Sequence, residues 1–407
     1  MFFVFRFLSA YSSSISKCIT GENNGIICLR VFNEISKGDI TMELPKTHKF
    51  AAIMADRTDE EIGGKVRNVH VAEIHEGTLR EMGPEDVMLK METCQICTTD
   101  YQQWLGLREH QGFPMAGGHE WSGIVIAKGD EVKGIEVGDR VGPVHGGCGK
   151  CINCRRGHTF ACTNKGGQRQ NPDGFLGSKG FSNYCVEPYT AVVKLAKDLD
   201  PSVAGFVEPI ATCVCGMKRL RVQPGETVVI IGAGTMGIAN AQVAHAFGAR
   251  VIITELTPKK LARARSMGFA DVIDSANTDP VEEVMKLTDG YGADCVIAAV
   301  GLGSAYEQGY KMLKRVEGRF LLFAAGYPVP EWKINPNEIH YRRIEIIGTM
   351  SGDVADFADA AFLISHRIVD PSFSLEHKLI PLKDIQKAYI AAATPDAYRV
   401  TVDLQDV

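Results

Sequence analysis

Four cysteines crowd into one short stretch of this chain: Cys148, Cys151, Cys154 and Cys162, in a CxxCxxCx7C pattern among Gly146, Gly147, Gly149 and Gly157. Disulfides are the alternative for such a cluster, as are an iron–sulfur site or free thiols, but separations of two residues favour chelation. Four thiolates can close a tetrahedron around one ion and leave no open position for a substrate, so the expected ion is a structural zinc whose binding energy orders the lobe. Two further segments carry metal-binding types: Cys94-Gln95-Ile96-Cys97-Thr98-Thr99-Asp100, and Gly117-Gly118-His119-Glu120 followed by Trp121-Ser122-Gly123-Ile124-Val125. A cysteine, a histidine and a carboxylate from separate loops could form a mixed-ligand site with one position free for chemistry. Spacing alone does not settle that reading, since a GHE tripeptide is more often a turn.

The third constellation is Val228-Val229-Ile230-Ile231-Gly232-Ala233-Gly234-Thr235-Met236-Gly237, a GxGxxG directly after an apolar run and before a helical stretch from Ile238 to Phe247. Gly232 suits a tight turn, Gly234 lets a pyrophosphate approach the backbone beside Thr235 and Met236, and Gly237 allows helix to pack on strand. The next strand ends at Glu255, where a carboxylate can accept from the adenosine ribose hydroxyls and would repel a 2′-phosphate. NAD is therefore expected over NADP, with Lys259 and Lys260 as the residues that argue for the phosphorylated cofactor.

The elements that must position these residues read as two kinds. From Val66 to about Val207, short alternations such as Val87 to Met91 and Ser122 to Ile126 lie between Gly, Pro and Asp clusters, which predicts a strand-rich domain. Beyond Glu208 the apolar runs Val228 to Ile231, Val251 to Thr254, Val272 to Ile273, Cys295 to Ala299, Phe320 to Ala324 and Ile344 to Ile347 alternate with helical stretches. That pattern predicts a Rossmann-type, doubly wound parallel sheet over 208–352. The tail from Asp353 has a helical stretch, Phe357 to Ile364, and strand-like pieces Lys378 to Pro381 and Arg399 to Leu404, and is expected to rejoin the first domain over 353–407. Residues 1–65, ending in the acidic, glycine-containing stretch Asp56 to Gly64, read as an extension of unknown role.

The chain has 407 residues, 45% of them apolar, enough for two cores. Its 44 basic and 49 acidic residues give a net charge of −5, which lacks the basic excess that would track a phosphate backbone, so nucleic acid is not an expected partner. The run Phe2 to Leu8, broken by Arg6, is too short to span a bilayer, and no membrane segment is read. The twelve cysteines, without a dense disulfide framework, fit a reducing cytoplasm. Arg6, Lys17 and Ser12 to Ser14 ahead of the first acidic residue, Glu22, are the features that would fit an organelle transit peptide instead.

Taken together with Val137-Gly138-Asp139-Arg140-Val141, these segments resemble the zinc-dependent medium-chain alcohol dehydrogenases, particularly the sorbitol, butanediol and threonine dehydrogenase branch. The likeness runs from about Val66 to the C-terminus and keeps one order: cysteine, GHE, GDRV, cysteine quartet, Glu-Pro-Ile, nucleotide fold. The resemblance implies α/β architecture plus a GroES-like strand-rich catalytic domain (66–207 and 353–407), a catalytic zinc on Cys97, His119 and Glu120, and Glu208 as a direct or water-bridged ligand. It also implies that Asp100 orients the histidine and that Thr99 takes the substrate proton while hydride passes from the carbinol carbon to the nicotinamide. A small alcohol or polyol is the implied substrate, and a homodimer or homotetramer the implied assembly. One departure stands out: Gln102 occupies the place of a histidine that ends the proton relay in many relatives, and glutamine does not titrate. A zinc hydrolase or lyase with a structural nucleotide, or a silent nucleotide-binding protein, are the competing readings.

Overall fold

The computed structural model describes residues 43–164 and 171–407. The apolar run Phe2 to Leu8 and the basic, serine-containing stretch after it lie outside those residues. Among the described residues no helix is long and apolar enough to cross a membrane.

One sheet is parallel throughout and has six strands in the order Asp271–Asp274, Arg250–Glu255, Thr227–Ile231, Cys295–Ala298, Arg319–Leu322, Glu345–Gly348. Numbered by their place in the chain these run 3-2-1-4-5-6, the doubly wound Rossmann order, with its switch point beside Thr227–Ile231. The strands are short and apolar because both faces are covered. Val228, Val229 and Ile230 have no exposed surface, and neither do Val296 and Ile297 in the adjacent strand. The helices Thr235–Ala246 and Val207–Leu220 pack on one side, contributing Ile238, Ala241, Val214 and Met217 to the same core as Val228 and Ile230.

The second sheet has seven strands. Leu375–Pro381, Arg399–Asp403, Asp86–Gln95, Glu120–Lys128, Arg140–Pro143 and Val192–Leu195 follow in that order, and Tyr184–Pro188 pairs with Asp86–Gln95 off the main path. All pairings are antiparallel except Leu375–Pro381 with Arg399–Asp403. This is the GroES-like, strand-rich domain, and its two C-terminal strands come from the far side of the nucleotide domain in sequence.

One boundary differs from the sequence reading. Residues 1–65 were expected to stand apart, yet Thr47–Ile62 is a strand paired along its length with Lys65–Thr78. Lys65 therefore opens the second arm of a hairpin whose turn is Gly63-Gly64, both at positive φ (58° and 77°). Backbone bonds tie the first arm to the catalytic domain: Ile53 and Met115 exchange N–H···O bonds of 2.8 Å, and the Ala51 N–H reaches Phe181 O at 2.8 Å. Phe50, Ala51, Ala52 and Ile53 are at most 2% exposed. The acidic run read as the end of an extension is the distal half of the arm, where charged residues such as Arg57, Asp59 and Glu61 are exposed and hide the alternation.

Candidate metal and nucleotide site

Register brings the mixed-ligand residues together. Strands Asp86–Gln95 and Glu120–Lys128 are antiparallel neighbours with Gln95 opposite Glu120, so Cys97, just past the end of one, meets His119, just before the start of the other. Cys97 caps the helix Thr98–Trp104, and its own N–H donates to Asp100 Oδ2 at 3.0 Å in a capping box. The second oxygen of Asp100 faces His119 Nδ1 at 3.8 Å, so one carboxylate steers both residues. One ligand atom each from Cys97, His119 and Glu120 lie within 4.8 Å of one another, a set that could hold a metal ion with a position open.

The charges around this cluster are strong. Strand Arg399–Asp403 pairs Thr401 with Gln95, which delivers the Arg399 guanidinium to the same spot. Its Nε lies 3.0 Å from Glu120 Oε2, with side chains only 4% and 1% exposed. Burial opposes a thiolate at Cys97, but Arg399 and then His119 outweigh it and draw the thiol down to about 7. Burial pushes the Glu120 carboxyl well up against the pull of Arg399. His119 is raised despite burial, by the negative charges of Asp100 and Cys97.

Glu208 lies outside the three-residue set. It sits in the first turn of Val207–Leu220, and its carboxylate is turned to His145 Nδ1 at 3.6 Å. That imidazole also meets Ser351 Oγ at 3.1 Å, and its ring centroid is 6.2 Å from that of His119. Thr99 is half-buried and its Oγ1 accepts from Arg108 Nη1 at 3.1 Å. Cys94, by contrast, is a fully buried thiol raised by burial, consistent with a small packed residue.

The cysteine quartet closes as a cage. Sγ separations are 3.5 Å for Cys151 to Cys154, 3.9 Å for Cys151 to Cys162 and 4.0 Å for Cys148 to Cys154. Four sulfurs at about 2.3 Å from a central zinc would stand about 3.8 Å apart, whereas a disulfide needs about 2.05 Å. All described cysteines are free. Cys151 caps the short helix Ile152–Arg155, and backbone N–H groups of Cys154 and Thr163 lower its thiol to about 5. The donor set and spacing fit zinc.

At the nucleotide turn the three glycines differ physically. Gly232 has φ +96°, a Cβ on Gly237 would lie 1.8 Å from Gly232 O, and a Cβ on Gly234 would meet nothing within 4 Å. Gly234 thus leaves open space over the N-terminus of helix Thr235–Ala246, where Thr235 and Met236 form the first turn. Glu255 is 9% exposed and accepts from the N–H groups of Ala233 (2.7 Å), Leu256 (2.7 Å) and Thr257 (2.8 Å), which pins its carboxylate beneath the turn. Arg399 links the two sites, since its Nη2 contacts Met236 Sδ at 3.5 Å while its Nε faces Glu120. Sequence reasoning missed Arg399, His145 and Arg108, because single residues far from any motif leave no spacing signal.

Known dehydrogenases resemble this chain in sequence and fold. Residues 83–197 match the alcohol dehydrogenase GroES-like domain family and residues 235–366 the zinc-binding dehydrogenase family. A sorbitol dehydrogenase of Halalkalibacterium halodurans is 30% identical over 325 residues, spanning 78% of this chain and 91% of that protein. An L-threonine 3-dehydrogenase of Vibrio cholerae is 30% identical over 344 residues, 82% and 95% of the two chains. Benzyl alcohol dehydrogenase from Acinetobacter calcoaceticus shares the fold with a TM-score of 0.75 at 22% identity, covering 88% of this chain and 100% of its own. Acetophenone reductase from Geotrichum candidum, solved with NAD, gives 0.70 at 23% identity over 90% and 100% of the chains. With the cysteine cage, the three-ligand cluster and the glycine turn on one framework, the chain belongs to the zinc-dependent medium-chain alcohol dehydrogenase family.

Proposed function

We propose that this protein is a zinc-dependent oxidoreductase that moves hydride between a polyol or secondary alcohol and NAD, with Cys97, His119 and Glu120 holding the catalytic metal. The observation that carries this reading is Arg399, whose one side chain touches both Glu120 of the metal cluster and Met236 of the nucleotide turn. A zinc ion held by Cys97, His119 and Glu120 would supply Lewis acidity that makes a substrate hydroxyl easier to deprotonate, and a bound nicotinamide would supply the hydride acceptor. Thr99 receives the hydroxyl proton. Since Gln102 does not titrate, solvent reaching Thr99 takes it onward. Glu208, one residue removed from the cluster at His145, is the candidate fourth or water-bridged ligand. Cys148, Cys151, Cys154 and Cys162 hold the structural zinc.

Cofactor choice follows from charge. Glu255 stands where a ribose would seek an acceptor, and the neighbouring cations are already engaged: Lys259 with Glu376 (3.5 Å) and Asp396 O (3.1 Å), Lys260 with Asp396 (3.2 Å). Both facts favour NAD over NADP. Free thiols fit a cytoplasmic location. A homo-oligomer is supported by the sheet's edge strand Glu345–Gly348, flanked by Tyr341 (78% exposed) and Met350 (70% exposed).

The test is Cys97→Ser. It is expected to remove one metal equivalent and alcohol-driven NAD reduction while NAD binding persists; full activity in that variant would refute the assignment. A zinc hydrolase or lyase with a structural nucleotide would instead act with no change in nicotinamide absorbance.

A further inference from the structure

We infer that the substrate carries an anionic group, a carboxylate or a phosphate, close to its reacting hydroxyl, and that Arg108 recognises it; this rests on the dehydrogenase reading above. Other buried or half-buried arginines have clear partners. Arg140 grips Glu92, Arg319 reaches Glu226, Arg399 faces Glu120, Arg263 donates to the carbonyls of Phe373 and Leu375, and Arg342 donates to main-chain carbonyls. Half-buried Arg108 has neither among the described residues. Its Nη1 donates to the Thr99 hydroxyl at 3.1 Å, its Cζ lies 5.3 Å from the Tyr327 ring centroid, and its Nε is shielded from solvent without a hydrogen-bond partner. A partly desolvated guanidinium with an unmet donor costs free energy that an incoming anion returns.

Its position decides where on the substrate the anion lies. Thr99 is the proposed proton acceptor in the catalytic domain. Tyr327 follows strand Arg319–Leu322 at the carboxyl edge of the nucleotide sheet, where ligands of this fold bind. Arg108 therefore spans the gap in which hydroxyl and nicotinamide must meet, within reach of a group one or two bonds from the carbinol carbon. The loop is set in advance. Glu109, the next residue, accepts from His70 Nε2 (2.8 Å) and Arg57 Nη1 (3.0 Å), and Gln103 Nε2 holds Gly112 O at 2.8 Å.

The experiment uses the full, zinc-loaded chain and matched substrates: glycerol against glycerate for a carboxylate, glycerol against glycerol phosphate for a phosphate. Charge-assisted bonds of the usual strength predict kcat/KM higher for one anionic partner by roughly 10- to 100-fold. Which partner gains identifies the anion. Arg108→Gln should collapse that ratio mainly through KM, Arg108→Lys should keep part of it, and the NAD Kd should hold. As a readout needing no variant, acetate or inorganic phosphate should compete with glycerol in the wild type. A wild type that prefers glycerol, or an Arg108→Gln that lowers neutral and anionic turnover alike or weakens NAD binding by the same factor, overturns the inference and leaves the dehydrogenase standing. If neither neutral nor anionic alcohols reduce NAD, the dehydrogenase reading falls and the inference with it.

Discussion

Removing one sulfur from the cysteine cage, Cys154→Ala, should unfold the lobe it organises while sparing the rest of the molecule. Between Gly146 and Asn164 only Cys162 is buried, so this stretch has no apolar core to hold it. Ordering each residue costs about 1–2 kcal/mol of backbone entropy, and without a core only the metal offsets it. Structural zinc sites in small domains are worth about 10–16 kcal/mol. Shared evenly over four ligands, that is about 3–4 kcal/mol for one thiolate, or roughly 100- to 1000-fold in zinc affinity. The lobe's outer anchor is the start of helix Val354–Ser365, where Asp353 Oδ1 accepts from the Phe160 N–H at 2.8 Å and Val354 N–H donates to Thr159 Oγ1 at 2.9 Å. Those two bonds cannot replace a metal. The assay is zinc stoichiometry together with limited trypsin digestion, since Lys150, Arg155 and Arg156 lie exposed in the lobe. Expected are the loss of one zinc per chain and rapid cleavage at those positions, with the remaining domains intact. Unchanged zinc content and unchanged digestion would refute the cage as a metal site.

Gly237→Ala would force a methyl group onto Gly232 O; overpacking of this kind costs about 1–3 kcal/mol, and the NAD Kd by fluorescence should rise markedly, whereas an unaltered Kd would remove Gly237 from the turn's machinery. The Asp139 carboxyl is held low although burial works against it, because Lys194, the Glu136 N–H and Lys197 bind it. A lowered folded value means its stabilisation is complete above the unfolded carboxylate value of about 3.9 and is lost as pH falls through the folded one. Asp139→Asn should therefore flatten the acid limb of urea midpoints below about pH 4 and cost about 1–3 kcal/mol at neutral pH; parallel pH curves for both proteins would contradict this. A chain starting at Lys65 loses Phe50, Ile53 and Ile62 from the core, about 5–9 kcal/mol at 1.5–3 kcal/mol each. Against a typical stability of about 5–15 kcal/mol, its expected fate is insolubility, and a soluble active product would show the hairpin arm dispensable.

The parts of the molecule that repeat a physical pattern were legible before any coordinates. Continuous short apolar runs such as Val228 to Ile231, flanked by glycines and rich in β-branched residues, read as buried strands, and the glycine turn at that strand's end reads as a nucleotide site. The cysteine spacing likewise carries its own geometry. The hairpin Thr47–Thr78 was not legible, because exposed charges fill most of its distal half and leave only a few buried residues such as Ile62 and Val69 to carry an apolar pattern. Arg108, His145 and Arg399 were invisible for a different reason: each acts through a neighbour supplied by folding, and Arg399 is 303 residues from Ile96, whose carbonyl it meets. Glu208 was read at the metal, and the structure turns its carboxylate toward His145, a residue with no motif of its own.

The late arrival of Arg399 has a consequence for synthesis. A ribosome that has made the GroES-like strands and even the whole nucleotide sheet has not yet made the cation that neutralises Glu120, nor strand Arg399–Asp403, which flanks Asp86–Gln95. Until Arg399 and its strand emerge, a buried carboxylate beside two would-be metal ligands lacks its counter-charge, and the sheet beneath it keeps an open edge. A message cut short ahead of Arg399 would therefore yield the parallel sheet and its glycine turn with Glu120 left without its counter-charge.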